Sequence, residues 1–166
     1  MNQALDISTT AESSASIATR QFVTFSLATE SYGIDVCRIY EFIAFKGFTR
    51  IPNAPEFISG VINLRGTIVP VIDLRLRLGV EARPVDGSTV IIIVDVHEKT
   101  IGLVVDAVDE VITLPSSMIQ PSEALSRSFR SDFIAGISQI DEKMIIIVDI
   151  ERVLSASDLD DTEVAP

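Results

Sequence analysis

Apolar side chains in this sequence come in short runs separated by turn-forming or charged residues, and the runs recur. Phe22–Leu27 reads FVTFSL and Ile91–Val96 reads IIIVDV, and both have the length and the branched or aromatic content of a strand. YGIDVCRIYEFI (Tyr32–Ile43) and IGLVVDAVDEVI (Ile101–Ile112) then carry a common apolar pattern. Both comparisons have an offset of 69 residues, which places Gly33 on Gly102, Glu41 on Glu110 and Ile43 on Ile112. Two further blocks, FISGVINLRGTIVPVIDLRLRL (Phe57–Leu78) and FIAGISQIDEKMIIIVDIERVL (Phe133–Leu154), align at an offset of 76. Here Phe57 falls on Phe133, Gly60 on Gly136, Asp73 on Asp149 and Leu78 on Leu154. The change of offset predicts a longer connection in the second unit near Thr113–Asp132, where Pro115, Pro121 and several serines suit a loop or a short helix.

Each unit predicts one order of elements. A strand and a turn lead to a second strand that continues through the shared Glu. A Pro-bearing connection follows, then a hairpin around Leu64-Arg65-Gly66 or Asp141-Glu142-Lys143, and a short closing helix. About five short strands per unit suit a small barrel, which removes most exposed sheet edges. The predicted fold is mainly β, with two five-stranded barrels packed side by side under pseudo-two-fold symmetry. Residues 1–20 are rich in Ser, Thr and Ala without a period and read as a flexible extension. Residues 156–166 read as an acidic tail, which leaves a domain over 21–155.

Composition supports this class. Among 166 residues, 23 Ile and 17 Val stand against 11 Leu and 13 Ala, a skew that favours pleated strands over a helical bundle. The net charge of −11 disfavours phosphate backbones and anionic membrane surfaces as partners. Without the acids of the tail, residues 1–155 still carry −7. No apolar run is long enough to span a bilayer and no signal peptide is read, so a cytoplasmic location is expected.

Candidate chemistry is sparse. The single cysteine has no disulfide partner, and Cys37 with His97 cannot complete a zinc set. Cys37 reads as a small packed residue, and His97 as a turn residue before Glu98-Lys99. Asp109-Glu110 and Asp141-Glu142 read as solvated strand ends and turns. No phosphate-binding glycine motif is present, so neither an enzyme nor a cofactor is expected. The repeat itself separates fold from function, because features in both units serve the fold and features in one unit are candidates for function. Gly60/Gly136, Asp73/Asp149 and Glu41/Glu110 are shared. Arg65 is not, because Asp141 takes its place, and Arg50-Ile51-Pro52-Asn53-Ala54-Pro55 has no counterpart. An arginine in an acidic protein is a recognition group or an ordinary hairpin residue, and both readings stand at this point.

The segments YGIDVCRIYEF, RIPNAPEFISGVINLRGTIVPVIDLR and GLVVDAVDEV resemble the CheW family of bacterial chemotaxis coupling proteins, over about residues 20–155. The resemblance implies two intertwined five-stranded barrels of SH3-like type with partly exchanged strands, and a non-catalytic adaptor. Such an adaptor joins the cytoplasmic signalling tip of a methyl-accepting chemoreceptor to the regulatory domain of the histidine kinase CheA, so that receptor state controls autophosphorylation. It would be recruited to membrane-associated receptor arrays. The resemblance places receptor contacts on Ile39, Glu41 and Arg65, with Val36, Gly60 and Asn63 shaping the groove. It leaves the kinase surface on a barrel end, assigned here to Leu103, Val105 and Val108 of the strand Leu103–Val108, with the alternative that most valines of this strand are core. Exposed apolar barrel ends also allow weak self-association. Tyr40 and Phe42 depart from the smaller or polar family residues beside Glu41, and Arg38 stands where Lys is common; these changes bear on receptor preference. A paralogue serving a twitching or biofilm array is the alternative.

Overall fold

The repeat is built into the topology. The structure is a computed structural model that describes residues 18–81, 84–121 and 133–154. The first unit contains β1 (Thr19–Leu27), β2 (Glu30–Asp35), a 3₁₀ turn (Val36–Arg38), β3 (Ile39–Ala44), β4 (Ile58–Leu64), β5 (Thr67–Asp73) and α1 (Leu74–Leu78). The second contains β6 (Val90–Val96), β7 (Lys99–Val105), β8 (Ala107–Pro115), a 3₁₀ turn (Ser116–Met118), β9 (Gln120–Pro121), β10 (Ile134–Ile140), β11 (Lys143–Val148) and α2 (Ile150–Val153).

Neither sheet belongs to one unit. The six-stranded sheet has the order β8-β1-β2-β11-β10-β9 and the five-stranded sheet the order β3-β6-β7-β5-β4. The third strand of each unit therefore crosses to pair with the first strand of the other. The parallel pairs are also equivalent, with Gly33 of β2 opposite Ile147 of β11 and Gly102 of β7 opposite Val71 of β5.

Both sheets curl because the chain after the crossing strand travels to the opposite edge. After β3, Thr49 pairs with Val61 of β4. After β8, the short β9 pairs with β10. Closure there needs glycine, since a Cβ at Gly60 would lie 2.4 Å from the Thr49 carbonyl oxygen and one at Gly136 would lie 2.6 Å from that of Gln120. The two glycines shared by sequence thus do the same job. Gly60→Ala or Gly136→Ala is expected to cost about 1–3 kcal/mol through overpacking, measurable as a lower urea midpoint.

Three apolar clusters hold the molecule. Phe22, Leu114, Ile145 and Ile147 fill one barrel, and Val71, Ile91, Ile93 and Val104 fill the other. The largest lies between them and takes Phe25, Leu27 and Ile34 from one sheet and Ile92, Val94, Ile101, Leu103 and Val105 from the other. The run IIIVDV is explained by this arrangement. Alternate residues of β6 face the barrel interior and the inter-barrel core, so both faces of the strand are covered.

The remaining shared residues are caps. Asp73 accepts from the Arg75 N–H at the start of α1, and Asp149 from the Glu151 N–H at the start of α2. At the pseudo-symmetry junction Arg77 lies 5.0 Å from the Phe57 ring centre and 5.4 Å from that of Phe133, and its Nε donates to the Val153 carbonyl. These two phenylalanines are the equivalent residues of the two units, so one guanidinium ties both together.

Two expectations change in detail. β1 begins at Thr19, where it pairs with Pro115, so Thr19 and Arg20 belong to the sheet and not to the extension. Residues 1–17 and 155–166, the rest of the extension and the whole acidic tail, lie outside the described residues, as does the 122–132 part of the long connection. Cys37 is exposed, because it sits in the 3₁₀ turn after β2 with its N–H donating to Asp35. His97 does occupy the β6–β7 turn, with a left-handed backbone.

Candidate functional site

Residues 63–66 make the tight hairpin between β4 and β5. Leu64 pairs with Thr67, and the two residues between them, Arg65 and Gly66, have φ of 51° and 90°. The Asn63 side-chain oxygen accepts from the Gly66 N–H at 2.7 Å and braces the turn. Turns with positive φ favour Gly, Asn or Asp at the first central position, since other side chains crowd the backbone there. The equivalent position of the second unit holds Asp141, also with positive φ. An arginine at this place is therefore not what the turn prefers.

Arg65 reaches across the barrel to Glu41 of β3. The guanidinium meets the carboxylate through both terminal nitrogens, Nη1 with Oε2 at 3.3 Å and Nη2 with Oε1. β3 and β4 are the two edges of their sheet, so this ion pair spans the open seam of the barrel. The Arg65 side chain is 72% exposed. The guanidinium hydrogen bond holds the Glu41 carboxyl below its ordinary range, and the carboxylate raises the Arg65 pKa in turn. The pair is thus complete above the ordinary glutamate range and is lost as pH falls through the lowered value. An NMR titration is expected to show Glu41 protonating at lower pH than a free glutamate, and returning to the ordinary range in Arg65→Ala. An ordinary midpoint in the parent chain would show that the pair does not form in solution. In the second unit the same two positions are Glu110 and Asp141, two acids. The equivalent positions are therefore oppositely charged and joined in the first unit and like-charged in the second.

A β-bulge sets the direction of neighbouring side chains. Between Ile39 and Glu41 the register against β6 slips by one residue at Tyr40, and against β1 the register of β8 slips in the same way at Asp109, the residue equivalent to Tyr40. The Asp95 carboxylate raises the pKa of the Tyr40 hydroxyl. In the second unit Ser26, the equivalent of Asp95, donates to the Asp109 carboxylate at 3.0 Å. Tyr40, Glu41, Arg65 and Thr67 line one recess at the mouth of the barrel, with Val69 and Ile93 at its floor.

The structure brings Glu41 and Arg65 into direct contact. Asn63 is the brace of their hairpin, and Ile39 begins the strand that carries Glu41. Gly60 is buried beneath Thr49 and serves closure, while Val36 is half-buried in the 3₁₀ turn and does not line the recess. The assignment of a docking surface to Leu103, Val105 and Val108 is corrected. Leu103 and Val105 have no exposed area, and Val108 is packed against the inter-barrel core. β7 is the central strand of its sheet with both faces covered, so its valines are core and no partner reaches Leu103 or Val105 in the folded domain. Tyr40 was legible in the sequence only as a departure beside Glu41; its place in the recess depends on a bulge that periodicity does not reveal. Among the described residues no group of three or more acids, histidines or cysteines is placed to hold a metal.

The CheW-like domain profile matches residues 21–158. The chain belongs to the CheW family. It is 37% identical over 140 residues to the chemotaxis protein CheW of Klebsiella aerogenes, covering 84% of each chain. It is 32% identical over 137 residues to the chemotaxis protein CheW of Bacillus subtilis, covering 81% of this chain and 86% of that one. The fold matches the crystal structure of the scaffolding protein TtCheW from Thermoanaerobacter tengcongensis with a TM-score of 0.76 and 40% identity, over 85% of this chain and 96% of the other. The CheW-like chain is a non-enzymatic scaffold protein of chemotaxis. None of its described helices is long and apolar enough to cross a membrane.

Proposed function

We propose that this chain couples the cytoplasmic tip of a chemoreceptor to the histidine kinase CheA, and that the Glu41–Arg65 face is its receptor side. The observation that carries the reading is Arg65 itself. It occupies a left-handed turn position that the second unit fills with the residue type such turns prefer, and it is highly exposed. A side chain retained against local preference at an exposed position points to recognition. A helical receptor hairpin suits this face, because the recess offers an apolar floor for side-chain anchors and a rim of fixed charge that sets register. Residues 21–155 act as the adaptor unit in this reading, and the protein is drawn to membrane-associated arrays through its receptor contacts. The kinase surface lies elsewhere on the barrel exterior.

Light scattering after size-exclusion chromatography tests the reading. The full chain is mixed with the regulatory region of CheA and, separately, with a receptor signalling-tip fragment from the same organism. Complexes with both are expected. A chain that binds neither partner refutes the proposal.

A further inference from the structure

We infer that Tyr40 is a specificity-determining contact of the Glu41–Arg65 face, presenting its ring to an apolar side chain of the helical receptor tip; this rests on the receptor reading above. Both units contain the bulge at equivalent places. In the second unit the bulge is tied to β1 by the hydrogen bond from Ser26 to Asp109, with no aromatic ring. The second bulge therefore forms with no ring. The first unit places a tyrosine at its bulge, where it lines the recess with Glu41 and Arg65. That residue is 66% exposed and takes no part in the three cores.

The bulge sets the ring beside the ion pair at the mouth of the barrel. The apolar body of the ring is left on the surface. Tyrosine in that state makes large contacts at low entropic cost and is enriched among the residues that dominate interfaces. The partner group that fits is aliphatic or methyl-bearing, carried on a helix whose neighbouring polar residue engages Glu41 or Arg65.

The test is a double-mutant cycle with the full chain and a receptor-tip fragment, read by calorimetry. Tyr40→Asn keeps a polar side chain at the bulge and removes the ring, while Tyr40→Phe keeps the ring. Tyr40→Asn is expected to weaken binding at least about tenfold, and Tyr40→Phe by less than about threefold. An alanine series along the tip is expected to contain one apolar position whose substitution weakens the parent complex and leaves the Tyr40→Asn complex unchanged. Binding of the CheA fragment and thermal unfolding should match the parent, which separates a contact from a folding defect. If Tyr40→Asn binds like the parent while Arg65→Asp does not, the inference fails and the receptor reading stands. Should Tyr40→Asn weaken every tip variant by one common factor, Tyr40 is no specificity determinant and the inference fails. If Arg65→Asp and Tyr40→Asn both bind like the parent, the receptor reading itself fails.

Discussion

Arg65→Asp is expected to reduce receptor-tip binding by about two orders of magnitude, the loss seen when a central charged anchor is reversed, while leaving the domain folded and at least as stable as the parent. The substitution copies the second unit, where Asp141 occupies the equivalent turn with the same sign of φ. Asp tolerates that backbone better than Arg, so the turn gains locally. What the chain loses is the guanidinium that bridges to Glu41 at the seam of the barrel. The variant instead sets two acids at these positions, as Glu110 and Asp141 do in the second unit. An exposed ion pair contributes little to stability, so the fold is indifferent to its removal. Calorimetry with the tip fragment and a thermal melt read the two effects separately. Normal binding by a folded Arg65→Asp chain contradicts the assignment, and a large fall in melting temperature contradicts the claim that Arg65 is surplus to the fold.

Arg75 shows the opposite behaviour, although sequence comparison also finds it in one unit only. Glu151 is its counterpart in the second unit. Its side chain is 7% exposed and pairs with Asp73 at 2.9 Å and with Asp106 at 3.1 Å. Asp106 in turn accepts from the Ala28 N–H at 2.6 Å, so the network joins α1 to both sheets. Arg75→Ala strands two partly buried carboxylates without their shared cation. The expected cost is about 3–5 kcal/mol, the range for breaking a buried pair by removing one member. Urea unfolding of Arg75→Ala measures it directly. A loss below about 1 kcal/mol would mean that water replaces the guanidinium at no great cost, as at a surface pair.

These two arginines mark how far the sequence can be read. The duplication, the hairpins and the closing helices were legible because each unit repeats the same glycines and capping aspartates under the same apolar pattern. Gly60 and Gly136 are shared because each strand passes close to another backbone there. The exchange of third strands was carried by the family resemblance alone, since periodicity says which face a strand buries and not which sheet it joins. The rule that unshared residues are candidates for function selects Arg65, which is exposed, and misleads at Arg75, which is buried and paired, because two pseudo-equivalent barrels stabilise the same helix start with different chemistry. Leu103 and Val105 were misassigned for a related reason. A continuous apolar run looks the same whether its valines meet a partner or a second core, and only the central place of β7 between β6 and β5 decides it. Glu41 and Arg65 are 24 residues apart in sequence, and the sheet's curl alone brings them together.

Reconstitution shows whether this scaffold makes kinase activity follow receptor state. Receptor-containing membranes and CheA are combined with and without the full chain, and kinase autophosphorylation is measured before and after receptor ligand is added. The chain is expected to raise autophosphorylation on receptor membranes and to make it respond to ligand, and Arg65→Asp is expected to remove both effects while still binding the kinase. Ligand-responsive autophosphorylation that is identical with and without the chain would contradict this coupling role.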